Sequence, residues 1–366
     1  MKTVDLFNLY VDELRPDPPW SEYEIGGLTV RLTDDYDAKV PQLAKPAKWV
    51  ITEQEAKRLP PHKGTWQATA TVSWKDSVEK SILLDEECDD DGLWDLCNLL
   101  TFITGRSVVT AEYKNRYRPD IYGDSYAAIP IETLKAAALA WQNRENLVSR
   151  NLHIALTLYN EAMNANLLQA RAALNSTALN IILDNHETAY EKVSKKIRKE
   201  LKNKIINILK CFEQTKDLQP DQVERYRRLL HAQIDRGPAS KDKLFSLLQS
   251  LEIIDPSPNP DQEARVQDVD QVRNRLVHTG LPKIKGLDNE QSKKYTAKIA
   301  ANVVPEIIRI VIGHHLGFRS GGLGSYSQIK YDLIEFFHNG VLLDPEFRQM
   351  AKYGLTKNRE LYQRLS

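Results

Sequence analysis

The sequence predicts an α+β protein in which a β-rich N-terminal domain precedes an all-α helical bundle. Residues 66–74, WQATATVSW, alternate strictly between apolar and polar side chains, which is typical of a half-buried strand. From Ile131 onward, apolar residues recur every three or four positions and indicate amphipathic helices. Because the strands come first and the helices follow, we expect two structurally distinct units rather than alternating βα repeats.

The order of the elements suggests three segments: a β-rich domain over residues 1–128, a helical bundle over 129–320 and a helical extension over 321–366. Prolines punctuate the first segment, as turns and sheet edges require. Further strands are predicted at Leu28–Leu32, Trp49–Thr52 and Ser81–Leu84, and an apolar helix at 92–104. Helices are predicted at 131–147, 151–187 (one or two helices), 190–210, 243–251, 261–279, 292–316 (kinked or split at Pro305), 327–337 and 345–365.

Composition sets limits on the partners. The 366 residues carry 50 basic and 50 acidic side chains, so an RNA-binding surface must come from local patches. The three cysteines are scattered without metal spacing, which favours a reducing, cytoplasmic setting. The N-terminus lacks the apolar core of a signal peptide, and no apolar run is long enough to cross a bilayer, so we expect no membrane partner.

Residues 268–280, DVDQVRNRLVHTG, hold the main candidate site. The spacing predicts one helix that ends at Gly280, with Asn274 and His278 four residues apart on one face. Arg273 is displaced by about 100° around the axis but is long enough to reach the same place. Arginine offers a planar fork to phosphate oxygens, and histidine exchanges a proton near neutral pH. This combination suits the binding and cleavage of a phosphodiester.

The string Arg273-Asn274-x-x-x-His278 resembles the Arg-x4-His signature of HEPN domains. An apolar helix that ends in Thr104-Gly105 and leads into a strand is similar to the corresponding region of Apea-like HEPN proteins, so the resemblance extends from about residue 90 to about residue 320. It implies a HEPN-like bundle that forms a homodimer and a metal-independent endoribonuclease that needs no cofactor. The strands before residue 90 match no motif of that family.

The resemblance also implies roles for the three residues in a composite dimer site. His278 would activate the ribose 2′-hydroxyl or protonate the leaving oxygen, Arg273 would stabilise charge on the phosphate, and Asn274 would orient either group. The biological role implied is that of a toxin or of anti-phage defence by abortive infection, with a phage or regulatory protein as a possible trigger.

Several other features have two interpretations. The helix predicted at 190–210 has a basic face that either binds RNA or forms a solvated surface, and the same holds for Arg275 of the motif helix. The residues of the basic face are Lys195, Lys196, Arg198, Lys199 and Lys202. The motif itself either cleaves RNA, serves a non-catalytic HEPN-type module that binds RNA or nucleotide, or satisfies neighbouring carboxylates in a helical interaction module. His314 and His315 are adjacent, so we expect them to point in different directions and to form no rival site.

Overall fold

The computed structural model describes most of the chain in separate stretches. These are residues 1–11, 22–39, 67–75, 78–84, 91–105, 107–111, 133–165, 168–186, 195–215, 217, 219–235, 240–278, 295–318 and 324–340. Within them, the side chains of residues 164, 168, 195–198, 231–235, 275–278, 324–326 and 328 lie outside the description. The strand predicted at Trp49–Thr52 and the helix predicted at 345–365 fall outside the described residues.

The N-terminal region contains a five-stranded antiparallel sheet. Its strands are β1 (Lys2–Phe7), β2 (Tyr23–Ile25), β3 (Leu28–Leu32), β4 (Ala68–Trp74) and β5 (Val109–Thr110). Their spatial order is β2-β3-β4-β1-β5, and every neighbouring pair is antiparallel. The sheet precedes the main run of helices, so the predicted α+β fold class is confirmed.

The predicted alternation is visible in β4. Ala70, Val72 and Trp74 are buried, whereas Thr71 and Ser73 lie between them with partial exposure. Thr69 departs from the alternation because its buried hydroxyl donates a hydrogen bond to the Leu9 carbonyl at 2.9 Å. The prediction for β3 matches the observed bounds.

The strand predicted at Ser81–Leu84 is wrong, since these residues form no strand in the structure. The backbone N–H groups of Ile82 and Leu83 instead donate to the two carboxylate oxygens of Asp95, each at 3.0 Å. The buried Asp95 carboxylate therefore accepts the hydrogen bonds that the carbonyl groups of a neighbouring strand would accept in a sheet. Arg144 completes this cluster, donating from Nε to Asp95 at 3.0 Å and from Nη2 to Glu79 at 2.6 Å.

The helices occupy most of the remaining described chain. Their bounds are α1 Tyr36–Lys39, α2 Leu93–Thr104, α3 Thr133–Asn143, α4 Glu145–Val148, α5 Leu152–Asn164, α6 Leu168–Asn185, α7 Lys195–Gln214, α8 Pro220–Asp235, α9 Ser240–Ser250, α10 Pro260–His278, α11 Val304–His315 and α12 Gly324–Asn339. A π-helical turn, Ile299–Val303, precedes α11. It lies just before Pro305, which has no N–H to donate, so the helix changes type there without a break. The predicted kink or split at Pro305 stays a prediction.

Helix α2 is buried along its whole length and connects the sheet to the bundle. It packs against β5, α3 and α5, while α3 also packs against β2. The approach of α3 to the β2–β3 turn is very close, because a Cβ atom at Gly26 would lie 2.0 Å from Trp141 Nε1. Gly26 has φ +58°, so glycine is favoured there by both space and backbone conformation.

The bundle is formed by α5, α6, α10, α11 and α12. Helices α5 and α6 pack against each other, α10 and α11 both pack against α6, and α12 packs against α10 and α11. Its core is aliphatic, with Leu156, Leu179, Val269 and Ile307 each almost fully buried. This arrangement places the motif helix α10 against α6, α12 and the π-helical turn.

By internal contacts the chain forms two compact units. One comprises residues 1–185 with 253–366 and so contains both the sheet and the bundle, and the other comprises residues 186–252 with α7, α8 and α9. The predicted division into segments 1–128, 129–320 and 321–366 is a different one and stays a prediction. None of the described helices has the length and apolar character needed to cross a membrane.

Candidate functional site

The candidate site lies near the C-terminal end of α10, a helix whose start is fixed by its own sequence. Asn259 Oδ1 accepts hydrogen bonds from the backbone N–H groups of Asp261 at 3.0 Å and Gln262 at 2.9 Å. Gln262 Oε1 in turn accepts from the Asn259 N–H at 3.2 Å, which completes a reciprocal cap of the helix N-terminus. Pro260 occupies the first turn, where its missing N–H carries no cost.

The buried face of α10 includes Arg273. Gln262, Val266, Val269 and Arg273 recur at spacings of four, three and four residues, and all are buried. Arg273 is therefore a member of the core-facing row and is only 2% exposed. Asn274, the next residue, lies on the exposed surface.

The Arg273 guanidinium is held by three side chains. Its Nη1 donates to Asn180 Oδ1 on α6 in a short hydrogen bond. Its Nη2 donates to Asp270 Oδ1 at 2.8 Å and to Asn274 Oδ1 at 3.1 Å. The Nε atom is buried without a hydrogen-bond partner among the described residues.

Asn274 is oriented by the same cluster. Its Oδ1 accepts from Arg273, and its Nδ2 donates to Asp270 Oδ2 at 3.1 Å. An asparagine side chain has two N–H donors and two lone pairs, so these contacts leave one donor and one lone pair for a ligand. An exposed amide with a fixed orientation therefore lies at the surface, and a buried cation lies directly behind it.

Two opposing effects act on Arg273. Burial lowers the pKa of its guanidinium, while the carboxylates of Asp270 and Asp184 raise it. Arginine remains charged under these conditions because its ordinary pKa is far above neutral. The site accordingly contains a positive charge that is compensated mainly by Asp270.

The three motif residues are thus not equivalent. The backbone of His278 forms the last residue of α10, one turn beyond Asn274 on the same helix face, at a rise of about 6 Å. Its side chain lies outside the described part of the chain, as does that of Arg275. The prediction that Arg273 reaches the neighbourhood of Asn274 agrees with their 3.1 Å contact.

The predicted RNA-binding residues on α7 belong to the unit formed by residues 186–252. Lys199 is exposed and Lys202 is half-buried. The side chains of Lys195, Lys196 and Arg198 lie outside the described part of the chain. The structure therefore confirms a helix at this position, and the RNA-binding role stays a prediction.

Two members of the cluster, Asp270 and Asn180, were not predicted from the sequence. Asp270 precedes Arg273 by three residues and Asn274 by four, a spacing that places all three side chains within reach on one helix. That signal was present in the sequence. Asn180 is 93 residues away from Arg273 along the chain, and no local pattern indicates the contact.

Comparison of the chain with family models, curated proteins and solved structures found no match. Within the described residues, no group of three or more His, Cys, Asp or Glu side chains is arranged to hold a metal ion. The interpretation of the site accordingly depends on its residues, their contacts and the resemblance of the motif.

Proposed function

We propose that this chain is a metal-independent endoribonuclease of the HEPN type, which acts in the cytoplasm as a homodimer. The observation that carries the proposal is the exposed Asn274 amide, fixed by Arg273 and Asp270 one helical turn before His278. The packing of this helix within an α-helical bundle is consistent with that family. The resemblance supplies the expected reaction and the second copy of the motif across a dimer interface.

The proposed reaction is attack of the ribose 2′-hydroxyl on the adjacent phosphodiester. His278 removes the 2′-hydroxyl proton or, from the second protomer, donates a proton to the leaving 5′-oxygen. The phosphorus gains a bond to the 2′-oxygen and loses its bond to the 5′-oxygen. The products are a 2′,3′-cyclic phosphate and a 5′-hydroxyl end, and the step consumes no water or metal ion.

In this proposal, Arg273 acts mainly as a positioning residue. Its guanidinium is 2% exposed and donates to three side chains, so a phosphate oxygen cannot reach it without displacing that network. Its charge is compensated mainly by Asp270, so its main contribution is to hold the Asn274 amide in a fixed orientation. Asn274 then supplies the direct hydrogen bond to the phosphate.

The test is cleavage of total cellular RNA in the presence of EDTA by the wild type, His278→Ala and His186→Ala. His186 is a matched control because it lies in the other compact unit, where its side chain forms a 3.2 Å hydrogen bond with Ser246. We expect the wild type and His186→Ala to leave 2′,3′-cyclic phosphate ends and His278→Ala to leave none. Equal cleavage by His278→Ala would overturn the proposal.

A second candidate function is favoured by the buried ion pair. Arg273 and Asp270 satisfy each other at 2.8 Å, as expected for a helical interaction module in which the motif satisfies neighbouring carboxylates. A wild type that neither cleaves RNA nor retains it on a filter would favour this module. RNA retention without cleavage, unchanged in His278→Ala, would favour the non-catalytic module that binds RNA or nucleotide. Light scattering that detects only monomers would count against the composite dimer site of the proposed ribonuclease.

The cellular role proposed is that of a toxin or of abortive anti-phage defence, with a phage or regulatory protein as trigger. Free ribonuclease activity is harmful to the cell that makes it, so such a role requires control. We expect induced expression of the wild type, alone or with the trigger, to stop growth, and expression of His278→Ala to be tolerated. Normal growth with both proteins during phage infection, despite cleavage in vitro, would contradict this role.

A further inference from the structure

A polar cavity of about 320 Å³ lies where the α3–α4 region meets the end of α11. It is lined by Asn143, Asn146, Arg150, His314, His315 and Gly317, all within the compact unit that contains the sheet and the bundle. Its volume is at the lower end of the range of about 300–1,000 Å³ that is typical of small-molecule sites. It shares no residue with the cluster around Arg273.

The walls of the cavity are fixed to each other. Asn146 Nδ2 donates to the His315 carbonyl at 3.2 Å, which joins α4 to the end of α11. Asn143 Nδ2 donates to the Leu139 carbonyl at 2.8 Å, so its orientation is also set. Gly317 has φ +87°, and a Cβ atom added there would lie 3.0 Å from Asn143 Nδ2, so glycine permits this close approach.

Both histidines line this cavity. Their rings are nearly perpendicular, with an interplanar angle of 83° and centroids 5.5 Å apart. Both residues therefore lie at one cavity, and the expectation that they form no rival site stays a prediction. His314 is exposed, and His315 is half-buried.

The charge of the cavity indicates its ligand. Arg150 has an exposed side chain, and its guanidinium has no hydrogen bond or ion pair with any residue that the structure describes. None of the six lining residues is acidic. Arginine, imidazole and amide groups all offer N–H donors, and a guanidinium pairs with phosphate through two parallel hydrogen bonds.

We propose that this cavity binds a small phosphate-bearing anion, with Arg150 as its principal charged contact. His314 donates from its ring, and Asn143 and Asn146 fix the opposite wall. The site is independent of the proposed ribonuclease activity, since its residues lie on different elements from α10. The ligand is either free phosphate or a phosphate monoester such as a nucleoside monophosphate.

The test is titration calorimetry of the full chain with inorganic phosphate and with AMP, at an ionic strength held constant with chloride. The variants are Arg150→Gln and His314→Gln, and the matched control is Arg31→Gln, which removes an arginine 52% exposed on the sheet. We expect the wild type and the control to bind with similar dissociation constants and Arg150→Gln to bind about tenfold more weakly or worse. His314→Gln should show a smaller loss, and circular dichroism should show that all three variants remain folded.

The two probes distinguish the sources of the phosphate group. Tighter binding of AMP than of phosphate would assign the site to a phosphate monoester, and equal binding would assign it to free phosphate. The proposal is overturned if neither probe binds at millimolar concentration, or if Arg150→Gln binds as the wild type does. RNA cleavage by the Arg150→Gln protein should equal that of the wild type when neither probe is present.

Discussion

Removal of the Asp270 carboxylate should destabilise the fold through Arg273. The variant Asp270→Ala leaves a guanidinium that is 2% exposed without the acceptor that now lies 2.8 Å away. Breaking a buried ion pair from one side costs about 3–5 kcal/mol, because the remaining charge stays desolvated. Asp270 is itself 15% exposed, and Asp184 offers further negative charge nearby, so we expect a loss of about 2–3 kcal/mol.

The measurement is urea unfolding followed by far-UV circular dichroism, with the midpoint and slope compared between variants. Asp34→Ala is the matched control, because it removes one carboxylate of the Arg31–Asp34 pair, whose atoms are 3.6 Å apart and whose side chains are 52% and 95% exposed. Exposed pairs of this kind contribute little, so the control should unfold at the wild-type midpoint.

A second variant separates the ion pair from a general packing defect. Asp270→Ala combined with Arg273→Met removes both charges and fills the core with an apolar side chain of similar length. This double variant should be more stable than Asp270→Ala alone, because it no longer buries an uncompensated charge. An Asp270→Ala protein as stable as Asp34→Ala, or a double variant less stable than Asp270→Ala, would refute this account of the cluster.

Three further predictions concern other properties of the chain. Burial raises the pKa of the Asp268 carboxyl above its ordinary value of 3.8, although the hydrogen bond that Tyr295 donates at 3.1 Å lowers that pKa in part. The folded state therefore favours the protonated acid. The free energy of unfolding of the wild type relative to Asp268→Asn should therefore fall as the pH rises from about 4 through the raised pKa. The measurement is the difference between their urea midpoints, and a difference that does not change with pH would contradict this prediction. The Asp95 carboxylate is fully buried and accepts hydrogen bonds from Ile82, Leu83 and Arg144. Asp95→Asn should therefore lower the free energy of unfolding by about 3–5 kcal/mol in the urea assay. A loss below about 1 kcal/mol would count against this hydrogen-bond network. If Arg273 acts through Asn274, the double variant Arg273→Met/Asn274→Ala should cleave RNA in a single turnover no more slowly than the slower of the two single variants. If the rate reductions of the two single variants instead multiply in the double variant, Arg273 contacts the phosphate independently.

The fold class was predictable because single segments report directly on their surroundings. The alternation of residues 66–74 reflects a strand with one buried face, and the apolar spacing after residue 131 reflects helices that pack on one side. The strand predicted at Ser81–Leu84 does not form, and these residues make a loop in which only Leu83 is fully buried. The N–H groups of Ile82 and Leu83 are satisfied by Asp95. That carboxylate is more than ten residues away, so a local pattern cannot report it.

The candidate site was predictable only in part for the same reason. The helix bounds follow from the apolar spacing together with Pro260 and Gly280, and the common face of Asn274 and His278 follows from spacing alone. The burial of Arg273 follows from its place in the row with Val266 and Val269, although its long charged side chain suggested the surface instead. The contact with Asn180 depends on how α6 packs against α10, and such tertiary information is absent from either segment by itself.

The non-catalytic RNA-binding module requires Arg273 to be a phosphate anchor, whereas the proposed ribonuclease requires it to be a positioning residue. A phosphate anchor must be exposed when the ligand arrives, yet this guanidinium is enclosed by Asn180, Asp270 and Asn274. A positioning residue has the opposite requirement, because burial limits its motion and so fixes the amide that it orients. The observed burial is therefore compatible with catalysis if Asn274 and His278 make the substrate contacts. Catalysis then requires Asp270 to remain ionised, and the stability lost in Asp270→Ala should be accompanied by slower cleavage, even under conditions in which the variant is fully folded.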